Sequence, residues 1–387
     1  MSTLDAQLQA ALATVAQAGR RRVLRPAALL AGGRIARDGR VLVDFSSNDY
    51  LGLATHPLLA ERAREWTARH GTGSGASRLV TGTSDEVLAL EAKVAAFKGC
   101  EAALIFASGW QANAATIPAL LAAMPGAAVF ADRLIHASMH AGLAIGGLRQ
   151  HRFRHNDLAH IEELLAGRGR DAPARVILTE SVFSMDGDVA DLDRLGALAR
   201  QYDAVLFVDE AHATGVLGPR GAGLSATSPG AAQIVMGTFS KALGGFGAYV
   251  AGSRALIDWL TNAASGFVFS TALPPAVLGA IDAALDLVPS LDAERAHLVA
   301  LSDRLRAGLD RLGLDRGASA SQIVPAVIGP EEQTLALAAA LDERGFLAAA
   351  IRPPTVPPGT SRLRLALRAA HSEGDVDDLL EAIAACR

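Results

Sequence analysis

Gln233-Ile-Val-Met-Gly-Thr-Phe-Ser-Lys-Ala-Leu-Gly-Gly-Phe-Gly247 begins as an apolar run and ends in glycines, with Lys241 between the two. The run 233–236 reads as a short buried strand. Lys241 therefore stands at a strand exit among small residues, where a side chain can meet a ligand. Only three of the 36 lysines and arginines are lysines, namely Lys93, Lys98 and Lys241. Arginine fills nearly every other cationic position, so a lysine kept here points to amine chemistry rather than to a solvated surface charge. An amine can form a Schiff base with a carbonyl compound, whereas an always-protonated guanidinium cannot. The other two lysines have an ordinary reading on a helix opened by the capping box Thr83-Ser-Asp-Glu86. There Lys98, just ahead of Gly99, complements the helix C-terminus.

Working outward, the strand-then-helix pattern recurs. Apolar strands are expected at 102–106, 127–131, 175–179 and 204–208, with 148–153 as a further candidate. Near-continuous apolar strands alternating with helices define an α/β fold with a mainly parallel central sheet covered on both faces. Ligands of such sheets sit beyond the carboxyl ends of the strands. Past residue 285 the pattern changes to helices at 293–312 and 331–344, interleaved with strands at 322–328, 346–351 and 362–367, which reads as a smaller α+β domain. At the other end, Leu4, Leu8, Leu12 and Val15 predict an amphipathic helix over 4–18, and Asp38-Gly39 between alternating runs predicts a hairpin. The expected division is an arm at 1–45, a large domain at 46–285 and a small C-terminal domain at 286–387.

A formal net charge of −4 gives no general attraction for nucleic acid or an anionic membrane, which favours small-molecule chemistry. The two cysteines, Cys100 and Cys386, have neither metal-ligand nor redox spacing and suit a reducing compartment. Asp5 comes early and Arg20, Arg21 and Arg22 late, the reverse of a secretory signal, so a cytoplasmic protein is expected. Residues 102–131 carry no charge and are long enough to span a membrane. Gln111, Asn113, Pro118 and Pro125-Gly126 instead divide them into strand, helix and strand.

Several polar residues fall at the strand ends. Val205-Leu-Phe-Val-Asp-Glu-Ala-His-Ala-Thr-Gly215 places Asp209 at a strand exit, where a carboxylate can keep a pyridine nitrogen protonated, and His212 beside it. An Asp-His pair capping a turn explains the same residues. Phe106-Ala-Ser-Gly-Trp-Gln-Ala-Asn113 is a strand, a glycine turn and a helix start, a geometry that presents free N–H groups to phosphate, although a plain helix cap needs the same glycine. Gly71-Thr-Gly-Ser-Gly75 follows a helix, which argues against a dinucleotide fingerprint and for a substrate-facing loop. The pairs His136/His140 and His151/His155 have i,i+4 spacing but no HExxH glutamate, and no metal is expected. Arg362 and Arg364 share one strand face, from which one can clamp a carboxylate.

Taken together, Ser47-Asn-Asp-Tyr-Leu-Gly52, Asp132-Arg-Leu-Ile-His136, Val182-Phe-Ser-Met-Asp-Gly187, Val208-Asp-Glu-Ala-His-Ala-Thr-Gly215, Thr238-Phe-Ser-Lys241 and Phe269-Ser-Thr-Ala-Leu-Pro-Pro275 resemble the α-oxoamine synthase family of fold-type I pyridoxal-phosphate transferases. The resemblance covers nearly the whole chain and implies pyridoxal 5'-phosphate as cofactor. By it, Lys241 carries the cofactor, Asp209 pairs the pyridine nitrogen, His212 meets the ring oxygen and His136 stacks on the ring. Gly109, Trp110 and Thr238 hold phosphate, Ser184 lies near the cofactor, and Thr271 reaches over from a second subunit of a homodimer. Asn48 and Arg364 approach the substrate, Arg364 matching the carboxylate-binding position better than Arg362. Arg20 is a candidate for the far end of an acyl chain.

Ala350-Ile-Arg-Pro-Pro-Thr-Val-Pro357, with Thr355, resembles the biotin-pathway branch of that family. This branch implies condensation of L-alanine with a pimeloyl thioester, carried by coenzyme A or by a carrier protein. Sibling synthases taking glycine or serine share every catalytic position, and another fold-type I enzyme or a noncatalytic partner subunit are the further alternatives. A noncatalytic chain would not need Lys241 and Asp209 together.

Overall fold

The computed structural model describes every residue except Met1 and Ala18. The first helix spans Thr3–Gln17, and its expected last residue, Ala18, lies outside the described residues. A hairpin follows, made of β1 (Ala28–Leu30), β2 (Arg34–Arg37) and β3 (Arg40–Asp44). The next seven strands are β4 (Ala102–Phe106), β5 (Ala128–Asp132), β6 (His151–Phe153), β7 (Arg175–Glu180), β8 (Ala204–Asp209), β9 (Ile234–Thr238) and β10 (Ala248–Gly252). They form one sheet in the order β4-β10-β9-β8-β7-β5-β6. Adjacent pairs from β9 to β6 run parallel, as apolar strands buried on both faces should. The exception is β10, which the sequence reading did not include. It inserts antiparallel between β4 and β9, pairing Tyr249 with Ile105 on one side and with Gly237 on the other.

Because β10 reverses direction, β4, β5, β7, β8 and β9 all end on the same edge of the sheet. Phe106, Asp132, Glu180, Asp209 and Thr238 are their last residues. That edge is where the chain gathers its polar groups. The helix at Gly109–Ala122 continues through Pro118, which the sequence reading took as a break. The strand–helix–strand reading of 102–131 otherwise holds, and among the described residues no helix is long and apolar enough to cross a membrane.

Two smaller sheets complete the fold. In the C-terminal part, β11 (Ile323–Gly329), β13 (Ala349–Ile351) and β14 (Ser361–Ala366) form an antiparallel sheet in the order β11-β14-β13. The expected strand at 346–351 divides in two, because its first piece, β12 (Phe346–Leu347), joins the N-terminal hairpin in parallel with β3. The hairpin therefore does not stand apart. The loop after β7 docks on the small sheet at Gly187, whose φ of +67° and missing side chain are both required, since a Cβ there would lie 1.9 Å from the Ile323 carbonyl oxygen.

The reading of Lys98 as a cation that serves the helix C-terminus, on a helix opened by a capping box, is corrected. Its helix, Asp85–Lys98, does end on left-handed Gly99, but the capping box is not formed: Ser84 makes no side-chain cap bond and the Thr83 hydroxyl donates to the Arg78 carbonyl. Lys98 points inward, where its Nζ lies 2.5 Å from Glu210 Oε2 with both side chains fully buried, and it also donates to the Ala222 carbonyl. Burial works against the charge on Lys98, but Glu210 outweighs it and raises the pKa. Removing one partner leaves the other buried and uncompensated. Lys98→Met is expected to cost about 3 kcal/mol or more in denaturant unfolding, and a loss below about 1 kcal/mol would mean that the pair is not held this way.

Candidate active site

A cavity of about 190 Å³ opens at the strand-end edge, lined by Gly109, Trp110, Asn113, His136, Ser138, Glu180, Asp209, His212, Thr238, Ser240 and Lys241 among others. Most of the cofactor-site residues expected from sequence therefore converge. Lys241 follows β9, and its Nζ lies 2.9 Å from His212 Nε2. Burial lowers its pKa to about 8. The Asp209 and Glu180 carboxylates pull the value back up, and Arg364 pushes it down again. The His212 imidazole is buried, and burial together with the cations Lys241 and Arg364 holds it well below the ordinary histidine value. It is neutral near pH 7.

Asp209 ends β8 and is nearly inaccessible. Its Oδ1 accepts from the Ala211 N–H and its Oδ2 from Asn113 Nδ2, each at 2.9 Å. Asn113 also donates to Ser138 Oγ at 2.9 Å, and that hydroxyl lies 2.7 Å from His136 Nδ1. A chain of hydrogen bonds thus ties the two residues expected to bracket a ring. Glu180, paired with Asp209 across the sheet, has a buried Oε1 without a partner. Burial and the Asp209 charge raise its pKa well above the ordinary carboxylate value, which favours the protonated acid.

On the opposite wall, the helix at Gly109 begins with first-turn N–H groups that have no intrahelical acceptor. Ser108 Oγ satisfies that of Gln111. A Cβ at Gly109 would meet only the Met236 methyl, at 3.9 Å, which leaves an open cradle for an anion. The Thr238 hydroxyl donates to the Gly247 carbonyl at 2.8 Å and lies 2.8 Å from Ser240 Oγ. An acidic floor, an amine, a neutral imidazole and a free helix N-terminus fit the ring nitrogen, aldehyde carbon, ring oxygen and phosphate of pyridoxal phosphate in turn.

Arg364 comes from β14. Its Nε donates to the Ser184 carbonyl at 2.6 Å and its Nη2 to Asn48 Oδ1 at 3.1 Å. Arg362 is committed elsewhere, to an ion pair with Asp186. Arg362 is thus tied to the loop after β7, whereas Arg364 reaches Asn48 and the Tyr50 hydroxyl beside His212. Six expected residues do not line the cavity within this chain, and three of them, Asn48, Ser184 and Arg364, are instead hydrogen-bonded to one another, reaching His212 only through Tyr50. Arg20 and Thr355 are exposed, and exposed Thr271 bridges to Ser77. Sequence reasoning gave no role to Asn113, Ser138, Glu180, Ser240 or Tyr50. Glu180 alone carried a signal, as the polar terminus of an apolar strand.

With this geometry in view, the comparisons with known proteins can be stated. The chain belongs to the aminotransferase class I and II family, whose sequence profile matches residues 40–383. Within it, an 8-amino-7-oxononanoate synthase from Gluconacetobacter diazotrophicus is 59% identical over 99% of this chain and 97% of its own length. Among solved structures, a serine palmitoyltransferase from S. paucimobilis with bound PLP matches with a TM-score of 0.91 at 26% identity, over 100% of this chain and 98% of that one. An 8-amino-7-oxononanoate synthase from Francisella tularensis matches with a TM-score of 0.77 at 27% identity, over 89% and 97%. The protein is a pyridoxal-phosphate-dependent acyltransferase of fold type I.

The i,i+4 histidines have other partners. His140 lies 3.2 Å from Gln150, while His155 sits between two carboxylates, Nδ1 3.0 Å from Asp132 Oδ1 and Nε2 2.6 Å from Asp188 Oδ2. Burial opposes its charge, but the hydrogen bonds to both aspartates prevail and raise its pKa to about 9. The clamp joins the end of β5 to the loop after β7. Because the folded value exceeds the ordinary 6.5, the stabilisation is complete below about 6.5 and is lost as pH rises through about 9. The gap in unfolding midpoint between the wild type and His155→Gln should therefore narrow from pH 7 to pH 10. A constant gap would show that the charge on His155 contributes nothing.

Proposed function

We propose that the protein condenses L-alanine with a pimeloyl thioester, releasing CO2 and free thiol and forming 8-amino-7-oxononanoate for biotin synthesis. The observation that carries this reading is the Lys241 amine, held beside neutral His212 in the cavity at the strand-end edge, within a chain 59% identical to a synthase of that name. Pyridoxal phosphate, when bound, supplies the electron sink for negative charge developing at the amino-acid Cα. Asp209, anchored by Asn113 and the Ala211 N–H, keeps a proton on the pyridine nitrogen. With the cofactor bound, His212 would donate to the ring oxygen, His136 would stack on the ring, and Gly109, Trp110 and Thr238 would hold phosphate together with Thr271 of a second copy.

Arg364 and Asn48 grip the alanine carboxylate and orient the Cα–H bond. The Lys241 amine, with its pKa lowered to about 8, removes that proton. Carbon–carbon bond formation at the thioester carbonyl then expels thiol, and CO2 leaves the resulting β-keto acid. Arg20 and Thr355 are assigned to the acyl substrate, carried on coenzyme A or a carrier protein. A homodimer is supported by the N-terminal helix, which has no buried residue and leaves Leu4, Leu8 and Leu12 uncovered, and by Phe269, 85% exposed just ahead of Thr271. Division into an arm at 1–45, a large domain at 46–285 and a small domain at 286–387 is retained as part of this reading. The free thiols of Cys100 and Cys386 support a cytoplasmic location.

Thiol release from pimeloyl-coenzyme A by the cofactor-loaded protein tests the substrates. Release should be fastest with L-alanine, and faster release with glycine or L-serine would move the assignment to a sibling synthase. Lys241→Ala should abolish turnover while leaving the circular-dichroism spectrum unchanged; normal turnover would overturn the mechanism.

A further inference from the structure

Tyr50 has no part in the function as argued so far, yet it is fully buried at the junction of the two halves of the site. Its hydroxyl lies 2.6 Å from His212 Nδ1, 3.0 Å from Asn48 Oδ1 and 3.4 Å from Arg364 Nη2. Gln322 Nε2 donates to the His212 carbonyl at 2.8 Å, holding that residue's backbone. A phenol has one proton and two lone pairs. Arg364, which carries no acceptor, takes up one of the lone pairs. The single proton then has two places to go, Asn48 Oδ1 or His212 Nδ1. Asn48 Oδ1 already accepts from Arg364 at 3.1 Å, and the histidine nitrogen is the nearer by 0.4 Å.

We propose that Tyr50 is a positioning residue whose hydroxyl donates to Nδ1 of His212, fixing that imidazole as the Nε2–H tautomer. The consequence falls on the other ring nitrogen. Nε2–H points at Lys241 Nζ, 2.9 Å away, and can donate only to an amine that is itself deprotonated. The same N–H is the donor a phenolic ring oxygen would need. Burial raises the Tyr50 pKa, with Arg364 and Gln322 opposing, so the phenol retains its proton to donate. Because Arg364 donates to the same oxygen, the group that grips a carboxylate and the group that sets the histidine proton share one atom. This last link rests on the reading of Arg364 given above, whereas the tautomer assignment does not.

The test uses the full-length protein labelled with ¹⁵N-histidine, both loaded with pyridoxal phosphate and free of it. Long-range ¹H–¹⁵N correlation spectra distinguish the two tautomers of each of the ten histidines, and His212 is assigned by the signals missing in His212→Gln. At about pH 9, where the Lys241 amine has released its proton, the expected result in both forms is a bare Nδ1 and a protonated Nε2. In Tyr50→Phe the His212 Nδ1 signal should move towards the protonated form, with kcat for thiol release falling about tenfold, the size of one lost hydrogen bond. An Nδ1–H tautomer in the wild type overturns the proposal, as do unchanged His212 signals in Tyr50→Phe, which would leave Tyr50 only a packing role. If Tyr50→Phe fails to fold, the wild-type spectrum decides alone. Failure here with normal alanine-dependent thiol release would remove the tautomer assignment and leave the proposed function standing.

Discussion

Asp209 and Glu210 are adjacent carboxylates at the end of one buried strand, and both side chains are almost wholly out of water. Like charges so placed can coexist only if each is neutralised on its own side. The fold does this by sending them opposite ways. Asp209 faces the cavity, where Asn113 and the Ala211 N–H satisfy it. Glu210 turns away and is closed off by Lys98, the Ser225 N–H and the Ser225 hydroxyl. With Glu210 neutralised from behind, Asp209 is the negative charge left on the cavity floor. Burial, together with that charge, raises the pKa of the neighbouring Glu180.

The opposite sign of charge is managed in the same way across the cavity. Lys241, His212 and Arg364 crowd together, and burial resolves the conflict by lowering the pKa of the two that can release a proton. Arginine, which cannot do so, keeps its charge and is held by neutral oxygens of Ser184, Asn48 and Tyr50. The outcome is one permanent cation for a carboxylate and one lysine that is readily deprotonated for proton transfer. Lysine and arginine exchanged between positions 241 and 364 would give the same formal charge count but not this division of labour.

The parts of the site that were legible in the sequence stand immediately after apolar strands. Lys241, Asp209 and Gly109 announce themselves there because the strand signal is strong and its polar terminus must face the ligand edge. Asn113 was not legible, since an amide one turn into an alanine-rich helix reads as surface until its partner Asp209, 96 residues on, is known. Lys98 misled for the same reason: helix periodicity places it correctly at a C-terminus, but only tertiary contact with Glu210 turns it inward. The strand β10 was hidden because Ala248-Tyr-Val-Ala-Gly252 has a single β-branched residue and follows a glycine cluster already assigned to the lysine loop. Tyr50 sat within a recognised motif, yet its role depends on bonds to residues far along the chain, Arg364 and His212.

The groups that would hold the cofactor and those that would read the substrate come from different sheets. Glu180, Asp209, Thr238 and Lys241 belong to the edge of the seven-stranded sheet, whereas Arg364 and the segment at 350–357 belong to the small antiparallel sheet and its margin. A shared hydrophobic core and several polar contacts couple them, among them Gly187 against Ile323, Arg364 on Ser184, Gln322 on the His212 carbonyl, and Tyr50 between Arg364 and His212. Such a division lets substrate-reading positions change while the charges around the cofactor stay fixed. It accounts for a TM-score of 0.91 to a serine palmitoyltransferase at 26% identity, beside 59% identity to an 8-amino-7-oxononanoate synthase. Shape therefore identifies the shared chemistry and does not by itself choose the amino acid or the acyl group.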